Sequence, residues 1–188
     1  TETAKRVRQR IESVMGYAIV HKYCSNNNPA AWKGLLDKVY PSPEKIKENK
    51  RAKEGHDGHL NALPYKDMPS FMKKLKQMDG VAAIALQLTI LTASRTKPIR
   101  LAKWDEIDLK KKEWKVPVQN MKANKPFRVA LSDAAVKLLA DMPHLSDRVF
   151  PGGKLDKPMS ENAMLAVLKR MERSDVTVHG FRSTFRDY

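Results

Sequence analysis

Four side chains in the second half of the chain could together break a phosphodiester bond. Arg95 lies in Leu-Thr-Ala-Ser-Arg-Thr, Lys122 in a predicted hairpin turn, and His179 and Arg182 in Val-His-Gly-Phe-Arg. Two guanidiniums offer fixed forks of donors that match phosphate oxygens. A lysine or histidine can protonate the departing 5′-oxygen, and a tyrosine nucleophile would give a covalent phosphotyrosine. We therefore take these four residues as a candidate catalytic set for cleaving DNA without a metal ion.

The charge of the chain favours a polyanionic partner. Its 188 residues hold 36 Lys and Arg against 21 Asp and Glu, a net charge of +15 that is spread along the sequence. Such a charge is typical of nucleic-acid-binding proteins. A hydrophobic content of 41% excludes wholesale disorder. A single cysteine, Cys24, fits a reducing cytoplasm, and the longest apolar stretch is too short to span a membrane.

Hydrophobic spacing divides the chain into three parts. Residues 1–40 are predicted to be helical, with one helix over 3–22 and a second running from Asn28 as N-cap to about Val39. Residues 41–62 are charged, contain prolines and glycines and have almost no large apolar side chains, so we interpret them as a linker. The chain begins without a methionine inside a predicted helix, and we interpret it as a fragment.

The third part, residues 63–188, is predicted to be α+β and mainly helical. Period-two spacing over 104–131, which includes Val118, predicts a small antiparallel sheet, and Val149-Phe150 predicts a further short strand. Helices are expected to begin near Asp67, after Gly80 and at Ser132, Ser160 and Thr177.

Five stretches resemble, in order and spacing, the tyrosine recombinase (phage integrase) family. They are Leu-Thr-Ala-Ser-Arg-Thr at 91–96, Ala-Lys-Trp-Asp-Glu-Ile-Asp-Leu at 102–109, Met-Lys-Ala-Asn-Lys-Pro-Phe-Arg-Val-Ala-Leu-Ser at 121–132, Val-Phe-Pro-Gly-Gly at 149–153 and Thr-Val-His-Gly-Phe-Arg-Ser-Thr-Phe-Arg-Asp at 177–187. The resemblance covers residues 63–188, while residues 1–40 resemble the end of the family's helical core-binding domain. It implies a prophage or genomic-island integrase that acts through a 3′-phosphotyrosine.

The resemblance also implies roles and partners. Arg95 and Arg182 resemble the two arginines that clamp the scissile phosphate, Lys122 the general acid, and His179 the residue paired with the second arginine. The expected partner is double-stranded DNA at attachment sites, bound by a homotetramer in the bacterial cytoplasm, in association with the nucleoid. No cofactor or metal is expected. We predict DNA contacts from a set of basic residues: Arg6, Arg10, Lys50, Arg51 and Lys125.

Two positions depart from the family's pattern. The family has a carboxylate three residues after its first arginine, whereas this chain has Pro98, for which a neighbouring backbone carbonyl could substitute. Tyr188 lies six residues after Arg182, about 240° around a helix, so we expect the nucleophile to lie beyond it. The alternatives are a catalytically inactive DNA-binding relative and a type IB topoisomerase.

Simpler explanations exist for each candidate residue. Arg95 could close an apolar helix and favour its dipole. Lys125 competes with Lys122 in the same turn, and His179 could merely help to start its helix. Two further groups have the look of metal ligands, but neither has a third ligand in the sequence, so no metal site is predicted. They are His56 with His59, and His21 with Cys24.

Overall fold

The computed structural model describes residues 2–25, 27–42, 44–46, 48–49, 61–121, 125–154 and 157–187. The chain divides into two compact units, residues 1–58 and 59–188. Within the described ranges, no helix has the combination of length and hydropathy that crossing a bilayer requires.

The first unit is organised around a half-buried arginine, Arg8, on its long helix, α1 (Glu2–Val20). Arg8 Nη1 donates to Glu12 Oε2 at 2.6 Å and to the carbonyl oxygen of Ala30 at 2.7 Å. Its guanidinium also lies 5.4 Å from the ring centroid of Trp32. The backbone N–H of Trp32 and the side chain of Arg8 both hold the pKa of Glu12 below its ordinary value. These contacts fix the loop that follows α1 against the helix.

The predicted second helix of this unit is wrong over most of its length. Only Leu36–Lys38 is helical, as a single 3₁₀ turn. Asn28 does behave like a cap, because its Oδ1 accepts from the N–H of Ala30 at 3.1 Å. Gly34 adopts a φ of +82°, however, and Leu35 follows with a φ of −131°. A left-handed residue cannot continue a right-handed helix, so the segment remains a series of turns.

The core of the second unit surrounds one apolar helix, α3 (Val81–Thr92). Seven of its residues are buried, and it packs against the helices that follow it. Thr89 Oγ1 within it donates to the carbonyl oxygen of Ala85 at 2.8 Å and lies 3.3 Å from Met164 Sδ. The remaining helices are α2 (Met68–Leu75), α4 (Thr96–Leu101), α5 (Asp133–Ala140), α6 (Ala163–Arg170) and α7 (Phe181–Arg186). The predicted α+β class is confirmed.

A three-stranded antiparallel sheet lies between α4 and α5, in the order β1 (Ile107–Asp108), β2 (Glu113–Val116) and β3 (Phe127–Ala130). Trp114 in the central strand pairs with Ile107 on one side and Val129 on the other. Val118, which the sequence pattern placed in this sheet, instead begins a 3₁₀ helix, Val118–Asn120. Pro117 precedes it and has no N–H to donate to a ladder, which ends the strand.

The short strand predicted at Val149-Phe150 does not form. Both side chains are fully buried. The N–H of Val149 donates to the carbonyl oxygen of Ala102 at 3.0 Å, and only an isolated bridge joins Lys103 to Arg148. The apolar pattern at this position therefore reflects burial in the core rather than membership of the sheet.

Glu106 links the sheet to the segment before it and provides a test of the core. Its Oε2 accepts from Nε1 of the fully buried Trp114 at 3.0 Å. Burial raises the pKa of Glu106 above its ordinary value, although the Trp114 hydrogen bond opposes that shift. Folding therefore disfavours the charged carboxylate. At neutral pH, where the carboxylate is charged, this effect lowers the free energy of unfolding. It disappears below the ordinary pKa of glutamate, where the carboxyl is protonated in both states.

Glu106→Gln keeps an acceptor for Trp114 and removes the charge, so we expect a higher free energy of unfolding at pH 7. The gain over the wild type should vanish near pH 4, where the carboxyl is protonated in both states. Glu106→Ala should instead lower the free energy of unfolding by about 1–3 kcal/mol, because a buried N–H loses its acceptor. Urea denaturation at both pH values measures these differences. A Gln variant less stable than the wild type at pH 7 would contradict this account.

Candidate active site

Arg95 lies at a break between two helices of the second unit. Helix α3 ends at Thr92, and Ala93 adopts a left-handed conformation with φ 47° and ψ 30°. Arg95 is extended, with φ −76° and ψ 156°, and immediately precedes α4. The suggestion that Arg95 closes the apolar helix is therefore wrong. It stands at the N-terminal side of a helix, where the dipole disfavours a cation.

His179 and Arg182 lie on either side of the start of α7, His179 in the preceding turn and Arg182 in the first turn of the helix. This helix begins at Phe181 rather than at Thr177, so His179 lies in the preceding turn. The hydroxyl oxygen of Thr177 accepts from the N–H of Gly180 at 3.0 Å, as a capping residue does. The N–H of Arg182 donates to the carbonyl oxygen of His179 at 3.1 Å. This bond fixes the spacing of the two side chains along the chain.

Arg95, His179 and Arg182 line one cleft, which has a volume of about 930 Å³. The sheet contributes apolar residues to the same lining, Val116 and Phe127. Arg95 and His179 are exposed, whereas Arg182 is half-buried. Within the part of the chain that the structure describes, the side chains of Arg95 and His179 make no hydrogen bond or ion pair. Their donors are available to an anion in the cleft.

A backbone carbonyl holds Arg182 in place. Its Nη1 donates to the carbonyl oxygen of Ala93, the left-handed residue at the end of α3. Burial lowers the pKa of Arg182 from its ordinary value, and the positive charge of Arg95 lowers it further. Pro98, which stands where the family has a carboxylate, is buried and forms part of the cleft wall. The Ala93 carbonyl is thus an uncharged acceptor for a guanidinium in a cationic cleft.

The other predicted site residues are placed as follows. Lys122 lies outside the described residues, although Met121 on one side of it and Phe127 beyond it both line the cleft. Lys125 is exposed and is not part of the cleft lining. In the first unit, Arg6 and Arg10 are exposed on α1, and Arg6 Nε lies 3.5 Å from Glu2 Oε1.

Several further residues singled out in the sequence also lie outside the described part of the chain: Lys50, Arg51, His56, His59 and Tyr188. The described residues contain no group of three or more His, Cys, Asp or Glu side chains that could hold a metal ion.

The sequence pattern missed two residues that support the site, Gly180 and Thr184. A Cβ at Gly180 would lie 2.2 Å from the carbonyl oxygen of Asn61, so only glycine allows this approach. Thr184 is buried, and its Oγ1 donates to the carbonyl oxygen of Leu63 at 2.6 Å. A glycine next to a histidine in a predicted helix is a weak signal of close approach, and nothing in the sequence marks the threonine.

Two models of protein families match the sequence of this chain. The model of the phage integrase family matches residues 61–187, and that of the phage integrase central domain matches residues 1–35. The chain belongs to the phage integrase family. Among curated relatives of this chain, prophage integrase IntZ of Escherichia coli K12 is 34% identical over 189 residues. The integrase of enterobacteria phage P4 is 30% identical over 206 residues. Each match covers 98% of this chain but 43% of the relative.

Solved structures confirm the fold of the chain. A lambda integrase dimer bound to a COC′ core site superimposes with a TM-score of 0.65 at 13% identity, covering 97% of this chain and 64% of that one. The Tn1549 transposon integrase in complex with a circular intermediate DNA gives a TM-score of 0.66 at 14% identity, covering 98% of this chain and 65% of that one.

The left-handed Ala93 predicts an unusual response to substitution. An L-amino-acid residue in this left-handed conformation lowers the free energy of unfolding by about 1–2 kcal/mol. Glycine has no Cβ and avoids part of that penalty. Ala93→Gly should therefore keep the free energy of unfolding unchanged or raise it by up to about 1 kcal/mol. Ala93→Val should lower it by about 1–2 kcal/mol, because a β-branched side chain tolerates a positive φ poorly. Denaturant titration compares the three proteins, and a clear loss of stability in the glycine variant would argue against this account.

The close approach at Gly180 predicts a large effect of one methyl group. Gly180→Ala should lower the free energy of unfolding by about 1–3 kcal/mol, because the new Cβ collides with backbone that cannot move away easily. Gly153→Ala is the matched control, since nothing lies within 4 Å of a Cβ at that position. Thermal denaturation should separate the two variants by several degrees. Equal melting temperatures would show that residues 61–62 adjust freely.

Proposed function

We propose that this chain is part of a site-specific DNA recombinase that integrates or excises a prophage or genomic island. The observation that carries the proposal is the convergence of Arg95, His179 and Arg182 on one cleft, in a chain of the phage integrase family. The chain spans less than half the length of its curated relatives, so the activity is assigned to the whole protein.

The cleft suits a phosphodiester that is being attacked. Negative charge develops on the non-bridging oxygens in the transition state, and fixed cationic donors stabilise it most where water is excluded. Arg95 and Arg182 would supply those donors from opposite ends of the second unit's sequence. His179 would donate a hydrogen bond to the phosphate or assist proton transfer. The carbonyl of Ala93 orients the Arg182 guanidinium without neutralising it.

We assign the general acid to Lys122. It lies in the β2–β3 connection, and both Met121 before it and Phe127 after it line the cleft. Lys97 Nζ also donates to the carbonyl oxygen of Gln119 at 3.0 Å, which ties the start of this connection to the helix that follows Arg95. Lys122 directly follows the lining residue Met121, whereas Lys125 is exposed and outside the lining, which supports Lys122 over Lys125 as the residue that protonates the 5′-oxygen.

The nucleophile in this proposal is a tyrosine beyond Tyr188. Attack by its oxygen on the phosphorus forms a 3′-phosphotyrosine and releases the 5′-hydroxyl, which takes its proton from the general acid. The retained bond energy then allows the strand to be rejoined to a partner duplex. The 188-residue chain alone would bind DNA without completing this step.

The proposed substrate is duplex DNA carrying attachment sites, held by a tetramer in the bacterial cytoplasm. The excess of basic residues and the DNA-bound structural neighbours support DNA as the partner. We assign phosphate contacts to Arg6, Arg10, Lys50, Arg51 and Lys125. Domain boundaries at 1–40, 41–62 and 63–188 remain part of this proposal.

A catalytically inactive DNA-binding relative is the second candidate, and Pro98 is the observation that favours it. Without the family's carboxylate, Arg182 has the backbone carbonyl of Ala93 as its acceptor, and the Arg95 side chain has no acceptor among the described residues. Binding of DNA does not separate this protein from an active enzyme, whereas formation of a covalent intermediate does.

Covalent trapping tests the proposal. The full-length protein, with its native downstream sequence, is mixed with nicked attachment-site DNA, and denaturant-resistant adducts are counted over time. We expect an adduct with the wild type and a rate about 10²–10³-fold lower for Arg95→Ala, Arg182→Ala and Lys122→Ala, because each removes a donor to the transition state. The rates are compared at saturating DNA, so that weaker binding does not enter.

Two controls sharpen this test. Arg170→Ala removes the same charge from an exposed position at the end of α6, and Lys125→Ala removes the competing turn lysine. Arg170→Ala should form the adduct at close to the wild-type rate, whereas Lys125→Ala should weaken DNA binding but keep the rate at saturating DNA. An adduct from the 188-residue chain would contradict a nucleophile beyond Tyr188. Tight binding with no adduct from the full-length protein would favour the inactive relative, and Pro98→Glu would then be expected to restore activity.

A further inference from the structure

The helix that carries Arg182 is held by two backbone carbonyls from the other end of the second unit. The N–H of Thr177 donates to the carbonyl oxygen of Asn61 at 3.0 Å. Seven residues later, Thr184 Oγ1 donates to the carbonyl oxygen of Leu63 at 2.6 Å, and it lies 3.4 Å from that of Gly180. The segment 61–63 therefore contacts the turn and the helix on both sides of His179 and Arg182.

This contact is close-packed. Leu63 is 1% exposed and Thr184 is 4% exposed. The missing side chain of Gly180 lets the Asn61 carbonyl approach the turn directly. Phe181 adds an apolar contact on the same side, with its ring centroid 5.1 Å from that of Phe71.

Helix α7 cannot fix its own position. It has six residues, and a helix of that length is unstable without tertiary contacts. Its position therefore depends on what it touches. The neighbouring residues Arg182 and Ser183 line the cleft, whereas Thr184 is not among the lining residues and its hydroxyl makes the short hydrogen bond to Leu63.

We infer that Thr184 is a positioning residue, whose hydrogen bond to Leu63 sets the placement of His179 and Arg182 in the cleft. The inference rests on the proposed recombinase function. Asn61 and Leu63 lie near the beginning of the second unit, which starts at His59. The beginning of this unit is thus hydrogen-bonded to the turn and helix that carry His179 and Arg182.

Threonine-to-valine substitution removes the donor while keeping the shape of the side chain. In the full-length protein we expect Thr184→Val to slow first-order adduct formation on saturating nicked DNA by about 10-fold, because catalysis is sensitive to displacements well below 1 Å. The dissociation constant for DNA should stay within about twofold, since positioning alters chemistry and not phosphate contacts elsewhere. Thr184→Ser, which keeps the hydroxyl, should recover most of the rate.

Thr89→Val is the matched control. It also removes a buried threonine hydroxyl, which donates to Ala85 within α3, but it does not touch segment 61–63. We expect its adduct rate to stay close to that of the wild type. Equal slowing in the two valine variants would overturn the inference, because it would reflect general loss of stability. An unchanged rate in Thr184→Val would overturn it as well.

Hydrogen exchange gives a readout that does not depend on activity. Thr184→Val should speed amide exchange across residues 177–187 by about 10-fold or more, as expected when a local unit opens more readily, and leave α3 unchanged. Unchanged exchange at 177–187 would refute the positioning role. Absence of any adduct with the wild type would refute the proposed function instead, and the exchange comparison would still decide whether Thr184 holds α7.

Discussion

Holding Arg95 and Arg182 in one cleft is the constraint on which the rest of the second unit depends, because two like charges repel. Arg182 is also half-buried, and both effects lower its pKa. The fold must therefore contribute stability elsewhere and must place the guanidinium without a carboxylate beside it. It does so with the end of α3, where the left-handed Ala93 turns its carbonyl toward Arg182.

The scaffold for this arrangement is the apolar core around α3. Seven residues of α3 are buried, so its C-terminal end is a firm point from which both Ala93 and Arg95 extend. The small sheet and the connection after it contribute apolar side chains to the cleft lining, from Val116, Met121 and Phe127. Arg95 extends from the junction between α3 and α4, and Arg182 from the first turn of α7.

The sequence predicts the parts of this fold that depend on local pattern. Helix α3, the sheet and the Ser132 cap all appear, and Ser132 Oγ accepts from the N–H of Ala135 at 3.3 Å. Predictions failed where one residue overrides the pattern: Gly34 breaks the second helix, and Pro117 ends a strand early. Val149 and Phe150 are buried but form no strand, so an apolar pair in the sequence can reflect burial alone.

The residues of the site also fall into those that the sequence predicts and those that it does not. Motifs revealed Arg95, His179 and Arg182, because chemistry fixes their residue types. The supporting contacts of Ala93, Gly180 and Thr184 escaped notice, because each involves a backbone carbonyl, and any residue can supply one. No sequence pattern predicts which backbone carbonyl a donor will bind when the two residues are far apart in the sequence.

That distance has a consequence for how the protein is made. The bonds that secure the last helix join residues 89 and 121 positions apart, from Arg182 to Ala93 and from Thr184 to Leu63. Contacts between residues so far apart in sequence form late in folding, because the long loop between them must first close, which costs conformational entropy. On the ribosome, the segment with the second arginine emerges after the residues of α3 and the sheet. A nascent chain can thus bury its core before it holds a cleft able to engage a phosphate.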